Sequence, residues 1–239
     1  MSSVRVERRF QGPAKSGNGG YVAGLVGVAL AARLGTGEVP QVTLRVPPPL
    51  ETDLELVADA VVRLLDGEQL VATGAPVPAD LLADATVEPV SFEEAAAAES
   101  AYRGLGKHPF PGCFVCGPAN PTGLQLKPGP LGDGRTACTW VPAADLAPGG
   151  VVDPVHVWAA LDCPSGWAID LEGRPSVLGQ LTVGIDAQPR AGEECVVLGQ
   201  LLSEDGRKTL TASTLYDSDG RVLARARATW ILVDPALFN

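Results

Sequence analysis

The same order of segments occurs twice along these 239 residues, and a chain built that way has few folds open to it. In the first half "VRVERRF" alternates at strand period, "SGNGG" is a turn, and the apolar run "YVAGLVGVALAA", Tyr21 to Ala32, has the length of a helix. Strand-like stretches follow, among them "QVTLRVPPPL" and "LELVADAVVRLL", with "DGEQ" as a hairpin turn and the prolines of "VPPPL" marking a strand end. The second half restarts at Cys113 with a hairpin around "LGDG", then a helix within "DPVHVWAALDCPSGWAI", then the strands "SVLGQLTVGID", "ECVVLGQLLS", "RKTLTASTLYD" and "RVLARARATWILV". "SEDGR" and "DSDGR" are hairpin turns. "VTLRVPPPLETDLELV" and "LTVGIDAQPRAGEECVV" agree in apolar pattern without a gap, which aligns Thr43 with Thr182 and Leu56 with Cys195.

An antiparallel sheet that leaves one face for a single long helix is an α+β unit, and two such units can join their sheets edge to edge, so that one duplicated chain imitates a symmetric dimer. The expected architecture is two antiparallel sheets, each wrapped around a central helix. Residues 1–80 form the first unit, 81–112 a connector and 113–239 the second unit. The connector is Ala/Glu-rich and then Gly/Pro-rich, and its "EEAAAAES" reads as a solvated helix.

Composition narrows the partners. Eighteen basic against twenty-eight acidic residues give a net charge of -10, with no Lys/Arg cluster longer than "RR" or "GRK", which argues against nucleic acid. The longest apolar run has twelve residues, short of the roughly 20 that a spanning helix needs, so no membrane partner is expected. The mixed-charge segment before it is unlike a basic leader, and a cytoplasmic location is expected. Five scattered cysteines suit reduced thiols better than a disulfide framework.

Asp162 is the residue that sets the functional question. On a helix its neighbours three and four positions away are Ala159, Trp158, Ser165 and Gly166, a small and mostly uncharged surround. A buried lone carboxylate binds a partner, takes up a proton, or borders a cavity. Pro164 has no N–H for the carbonyl of Ala160, so a kink is predicted at Asp162, unless the helix simply ends there and "DCPSG" is its exit turn.

The stretches "GCFVCGPANPTGLQL" and "DPVHVWAALDCPSGWA" give the second half, from Cys113 to about Val233, a recognisable form. It resembles the hotdog-fold acyl-CoA thioesterases of the phenylacetate-thioesterase type. These often open with C-x-x-C-G-x-x-N-P-x-G-L and carry a central helix beginning H-G-G, with an aspartate nine residues after the histidine. The first half shares the pattern only through "GNGGYVAGLVGVAL". The resemblance implies a double hotdog whose Asp162 stands at the catalytic carboxylate position, while Asp153, Pro154 and Val155 replace H-G-G there. In the first half Asn18, Gly19 and Gly20 match H-G-G, while the carboxylate position is Gly27.

Each half therefore keeps what the other lacks. If active sites lie where two hotdogs meet, as the resemblance implies, one composite site is intact and its mate is not. The helix N-terminus at Asn18, Gly19 and Gly20 would hold the thioester oxygen, a role in which one lost donor costs about 2.7–4 kcal/mol. Asp162 would act as general base on water, or as a nucleophile, with Ser165 placing the water. Tyr21, His156, Trp158, Arg207 and Lys208 complete the predicted substrate-binding set, the last two toward a coenzyme A phosphate. For these two a solvated hairpin tip is the competing reading, and for His156 a place at the edge of the core.

The expected substrate is an acyl-CoA or another thioester, with no further cofactor. A homodimer of double-hotdog chains is the expected assembly. A non-catalytic acyl-CoA binding protein is the competing class, and a hotdog-fold enoyl-CoA hydratase a more distant one, suggested by "DPVH" at Asp153 to His156. Cys113 and Cys116, with His108 five residues earlier, form a C-x-x-C that raises zinc. A tetrahedral site needs four ligands and no second C-x-x-C exists, so no metal is expected and a turn is the preferred reading. Cys163 reads as a packed thiol rather than a nucleophile.

Overall fold

Antiparallel pairing joins every described strand into one eleven-stranded sheet, the two expected sheets meeting edge to edge along one seam rather than standing apart. The computed structural model describes residues 2–171 and 174–234. The first half contributes β1 (Ser2–Arg5), α1 (Gly19–Ala31), β2 (Glu38–Leu44), β3 (Asp53–Ala58), β4 (Val62–Asp66) and β5 (Gln69–Pro78). After α2 (Phe92–Glu99), the second half contributes β6 (Gly129–Pro130), β7 (Arg135–Trp140), α3 (Pro154–Ala160), α4 (Cys163–Trp167), β8 (Ser176–Ile185), β9 (Cys195–Asp205), β10 (Lys208–Tyr216) and β11 (Val222–Leu232).

The strand order is β1-β3-β4-β5-β2-β8-β11-β10-β9-β7-β6. Read outward from the centre, the halves run β2-β5-β4-β3-β1 and β8-β11-β10-β9-β7, the same plan twice, with the two-residue β6 added at one edge. The seam between them is short: Gln41 pairs with Thr182, Val42 with Leu181, and Thr43 with Gln180. Gln41 Nε2 donates to Thr182 Oγ1 at 2.9 Å, and Gln180 Nε2 donates to Thr43 Oγ1 at 2.9 Å. Those two bonds are the same bond under the alignment of Thr43 with Thr182, so a pseudo-twofold axis passes between Val42 and Leu181. Two separate sheets would have left both central edges with unpaired N–H and C=O groups, and joining them removes that exposure.

Helix α1 rests on β2–β5 of the first half, α4 on β7, β9 and β10 of the second, and α3 lies against α1. The approach of α3 to α1 is close because Gly20, Gly24 and Gly27 share one face of α1. A Cβ added at Gly20 would stand 2.5 Å from Asp162 Cβ, one at Gly24 would stand 2.9 Å from Trp158 Cβ, and one at Gly27 would stand 2.2 Å from Cζ2 of the Trp158 ring. Each glycine costs a helix about 1 kcal/mol relative to alanine, which the buried contact offsets.

The connector is more than a link. Ser91 and Glu94 form a reciprocal capping box that starts α2. Ala95 is buried with Leu82, Ala85 and Val87 against Leu198, Ala212 and Tyr216 of the second half-sheet. The expectation of a fully solvated helix is thus corrected, because Ala95 closes a second core. The motif from Cys113 to Leu124 is a loop of successive turns. Asn120 Nδ2 donates to the carbonyls of Arg9 and Gly112, and Phe114 N donates to the carbonyl of Gln11, tying the loop to the first half.

Candidate active site

The helix of the second half breaks at the predicted residue. Helix α3 stops at Ala160, α4 starts at Cys163 with Pro164 in its first turn, and Asp162 lies between them at ψ -78. A break in the core leaves carbonyl groups that need donors. Ser213 Oγ donates to the Leu161 carbonyl at 2.6 Å, Ser165 Oγ to that of Asp162 at 2.8 Å, and Thr136 Oγ1 to that of Pro164 at 2.7 Å. Three hydroxyls thus stabilise the kink, and the kink turns the Asp162 side chain away from its own helix.

That side chain reaches the N-terminus of α1. Asp162 Oδ2 accepts from Asn18 Nδ2 at 2.9 Å and from Gly20 N at 3.0 Å. Asn18 is also the N-cap of α1, its Oδ1 accepting from Tyr21 N at 2.8 Å, so one amide both starts the helix and holds the carboxylate. Asp162 is only 2 % exposed, and its other oxygen, Oδ1, has no hydrogen-bond partner among the described groups. Burial, and next the Cys113 sulfur, push its pKa up to about 7, against the pull of the Gly20 and Asn18 donors.

Asn18, Gly19 and Asp162 line a cavity of about 240 Å³. Its walls come from both halves and are largely apolar, including Leu44 at the end of β2, Val46 just past it, Leu178 on β8 and Ile231 on β11. Three sulfurs line it as well. The Sγ atoms of Cys113, Cys116 and Cys163 lie within 4.8 Å of one another, with Cys113 and Cys163 3.7 Å apart. Hydrogen bonds from Cys116 and Cys163 hold the Cys113 thiol well below its usual range. Burial pushes Cys116 up, and the bonds that Cys163 makes to Cys113 and Cys116 push it up too.

The predicted site residues divide accordingly. Asn18, Gly19, Gly20 and Asp162 lie together, and the Gly20 N–H is taken by the carboxylate rather than left for a substrate oxygen. Ser165 is buried at the kink, donating to the Asp162 carbonyl and accepting from Trp230 Nε1 at 3.3 Å, so it holds backbone rather than water. Tyr21 stacks on Phe10, with centroids 3.9 Å apart, and His156 packs against both rings and Phe114; neither lines the cavity.

Trp158 is core, seated on Gly27. Arg207 donates to the Leu232 carbonyl, and Arg207 and Lys208 belong to the β9–β10 hairpin, away from the cavity lining. Sequence reasoning missed the joining of Cys163 to the C-x-x-C pair. The signal was its position beside Asp162, where the kink that turns one side chain to the cavity turns its neighbour there too.

The fold is that of hotdog proteins. No family model matches the chain, and no curated sequence is similar to it. Solved structures are similar over nearly its whole length. A thioesterase candidate from Novosphingobium aromaticivorans superposes with a TM-score of 0.65 at 16% identity, covering 97% of this chain and 95% of that one. A hot dog fold protein of unknown function from Alicyclobacillus acidocaldarius gives a TM-score of 0.64 at 14% identity, covering 98% and 93%. At these identities the likeness carries the fold, and the chemistry has to come from the site.

Proposed function

We propose that the chain is a thioester hydrolase acting on acyl-CoA at a single composite site between its halves. The observation that carries this reading is the pair of hydrogen bonds from Asn18 Nδ2 and Gly20 N to Asp162 Oδ2 beside an apolar cavity. They join the helix N-terminus of one half to the carboxylate of the other within one chain. In this reading the acyl group lies along the apolar walls and its carbonyl oxygen faces the Gly19 N–H at the start of α1, where the helix dipole favours negative charge.

Asp162 Oδ1, the oxygen without a partner among the described residues, takes a proton from the attacking water as the new C–O bond forms. The C–S bond then breaks, and the thiolate leaves with that proton. A carboxyl with a pKa near neutrality suits both halves of this transfer. The test is hydrolysis of acetyl- through palmitoyl-CoA and phenylacetyl-CoA by wild type and by Asp162→Asn. The expected result is turnover by the wild type that falls about 10²–10⁴-fold in the variant, the range for a lost general base. Undiminished turnover in Asp162→Asn would remove the carboxylate from the mechanism. Saturable binding without turnover would favour an acyl-CoA binding protein.

A further inference from the structure

Of the three sulfurs facing the cavity, two have N–H groups aimed at them. Cys116 Sγ accepts from Trp167 Nε1 at 3.4 Å and lies 3.4 Å from His108 Nε2. The tautomer of that ring follows from its other nitrogen: His108 Nδ1 accepts from Phe110 N at 2.8 Å, so the proton of the neutral ring sits on Nε2 and points at the sulfur. Cys113 Sγ in turn lies 3.7 Å from Asn18 Nδ2, which donates toward it. N–H groups aimed at sulfur suit a thiolate, whereas a thiol has its own proton to place.

Three buried sulfurs converging on one point make a soft-donor cluster, the kind of ligand set that a thiophilic cation takes up with loss of the thiol protons. The geometry is near what such a cation needs. With Zn–S bonds of about 2.3 Å, a tetrahedral site has S···S edges of roughly 3.8 Å. The Cys113–Cys163 edge is 3.7 Å and the remaining separations are within 4.8 Å, so closing the triangle takes less than a side-chain rotamer change. The ligands also come from separate elements, a C-x-x-C loop and the first residue of α4, a spacing that the sequence did not disclose.

We propose that Cys113, Cys116 and Cys163 bind a thiophilic divalent ion, zinc in the first instance, with the fourth coordination position open to the cavity. Binding forms three S–metal bonds and releases the three thiol protons to solvent, without any change of oxidation state. His108 does not ligate; it donates to the Cys116 sulfur and stabilises its negative charge, as groups outside the ligand set commonly do. The inference goes beyond the hydrolase reading and does not depend on it.

The experiment is metal analysis of the wild-type protein purified without chelator, followed by replacement with cobalt(II). The expected outcome is about one zinc per chain, and intense visible bands of tetrahedral cobalt with a near-ultraviolet thiolate charge-transfer band. Cys116→Ser and Cys163→Ser should lose or shift these bands. Cys195→Ala, whose thiol is buried elsewhere, should keep them, and His108→Gln should keep them with metal affinity reduced about 10–100-fold.

Wild-type protein that retains no metal and shows only the weak spectrum of hexa-aqua cobalt on titration overturns the proposal, as does Cys163→Ser with unchanged bands. The wild-type titration decides the matter even if a serine variant fails to fold. Asp162→Asn should keep the cobalt spectrum, so failure of the hydrolase reading and failure of the metal site are told apart.

Discussion

At the scale of single residues, the most informative positions are those where nothing larger fits. Gly20 and Gly27 both lie under the second half, yet they answer to different neighbours. A methyl group at Gly20 meets Asp162 Cβ at 2.5 Å, and at Gly27 it meets the Trp158 ring at 2.2 Å. Both alanine variants are expected to destabilise by about 1–3 kcal/mol, the usual cost of overpacking, despite the better helix propensity of alanine. Urea denaturation checks this.

The two variants should differ in activity. Gly20→Ala displaces the carboxylate that its own N–H holds and should lower kcat, whereas Gly27→Ala should leave kcat of the folded fraction near that of wild type. Asp162 was legible in the sequence because an aspartate among Ala, Trp and Gly has few explanations. The side chains of Tyr21, His156 and Trp158 were not, because an aromatic residue near a helix start looks the same whether it lines a cavity or fills a core.

At the scale of elements, the turns and the kink were written plainly and the loop was not. "DSDGR" predicts a hairpin, and Asp217 carries it. Burial works against its charge, but the backbone N–H groups of Arg221 and Asp219 and the Arg221 guanidinium outweigh that and hold its pKa below the usual range. A lowered folded pKa contributes stability above the unfolded value, near 3.9, and that contribution is lost as pH falls through the folded value.

Wild type is therefore expected to be more stable than Asp217→Asn by a constant margin from neutral pH down to about pH 4, and the margin should close on further acidification. Thermal unfolding of both proteins across that range measures it. The C-x-x-C-G-x-x-N-P loop resisted reading because its meaning is tertiary. Asn120 ties it to Arg9, and its cysteines meet Cys163, partners distant in sequence.

At the scale of the whole molecule, the repeated order of strands was legible, while the single sheet depended on a seam of three residue pairs that no local pattern marks. The seam and the α1–α3 contact bury the sides on which each half would otherwise be sticky. A chain divided between Ala79 and Asp80, both exposed, is expected to give an insoluble 1–79 fragment on its own and a soluble pair when both fragments are made together. Co-purification through a tag on one fragment tests this, and a soluble lone 1–79 fragment would contradict it.

The Trp158 ring over Gly27 has one more consequence. In a true dimer of identical hotdogs, any substitution is made at both reaction chambers at once, and improvement at one position must suit both roles that position plays. In the proposed single-site reading the mate position has no carboxylate, since Gly27 stands there with the Trp158 ring packed against it, and each half would be free to change for one role only. Inhibitor titration should accordingly saturate at one equivalent per chain, and the two halves can drift apart in sequence while the hinge line between them stays recognisably symmetric.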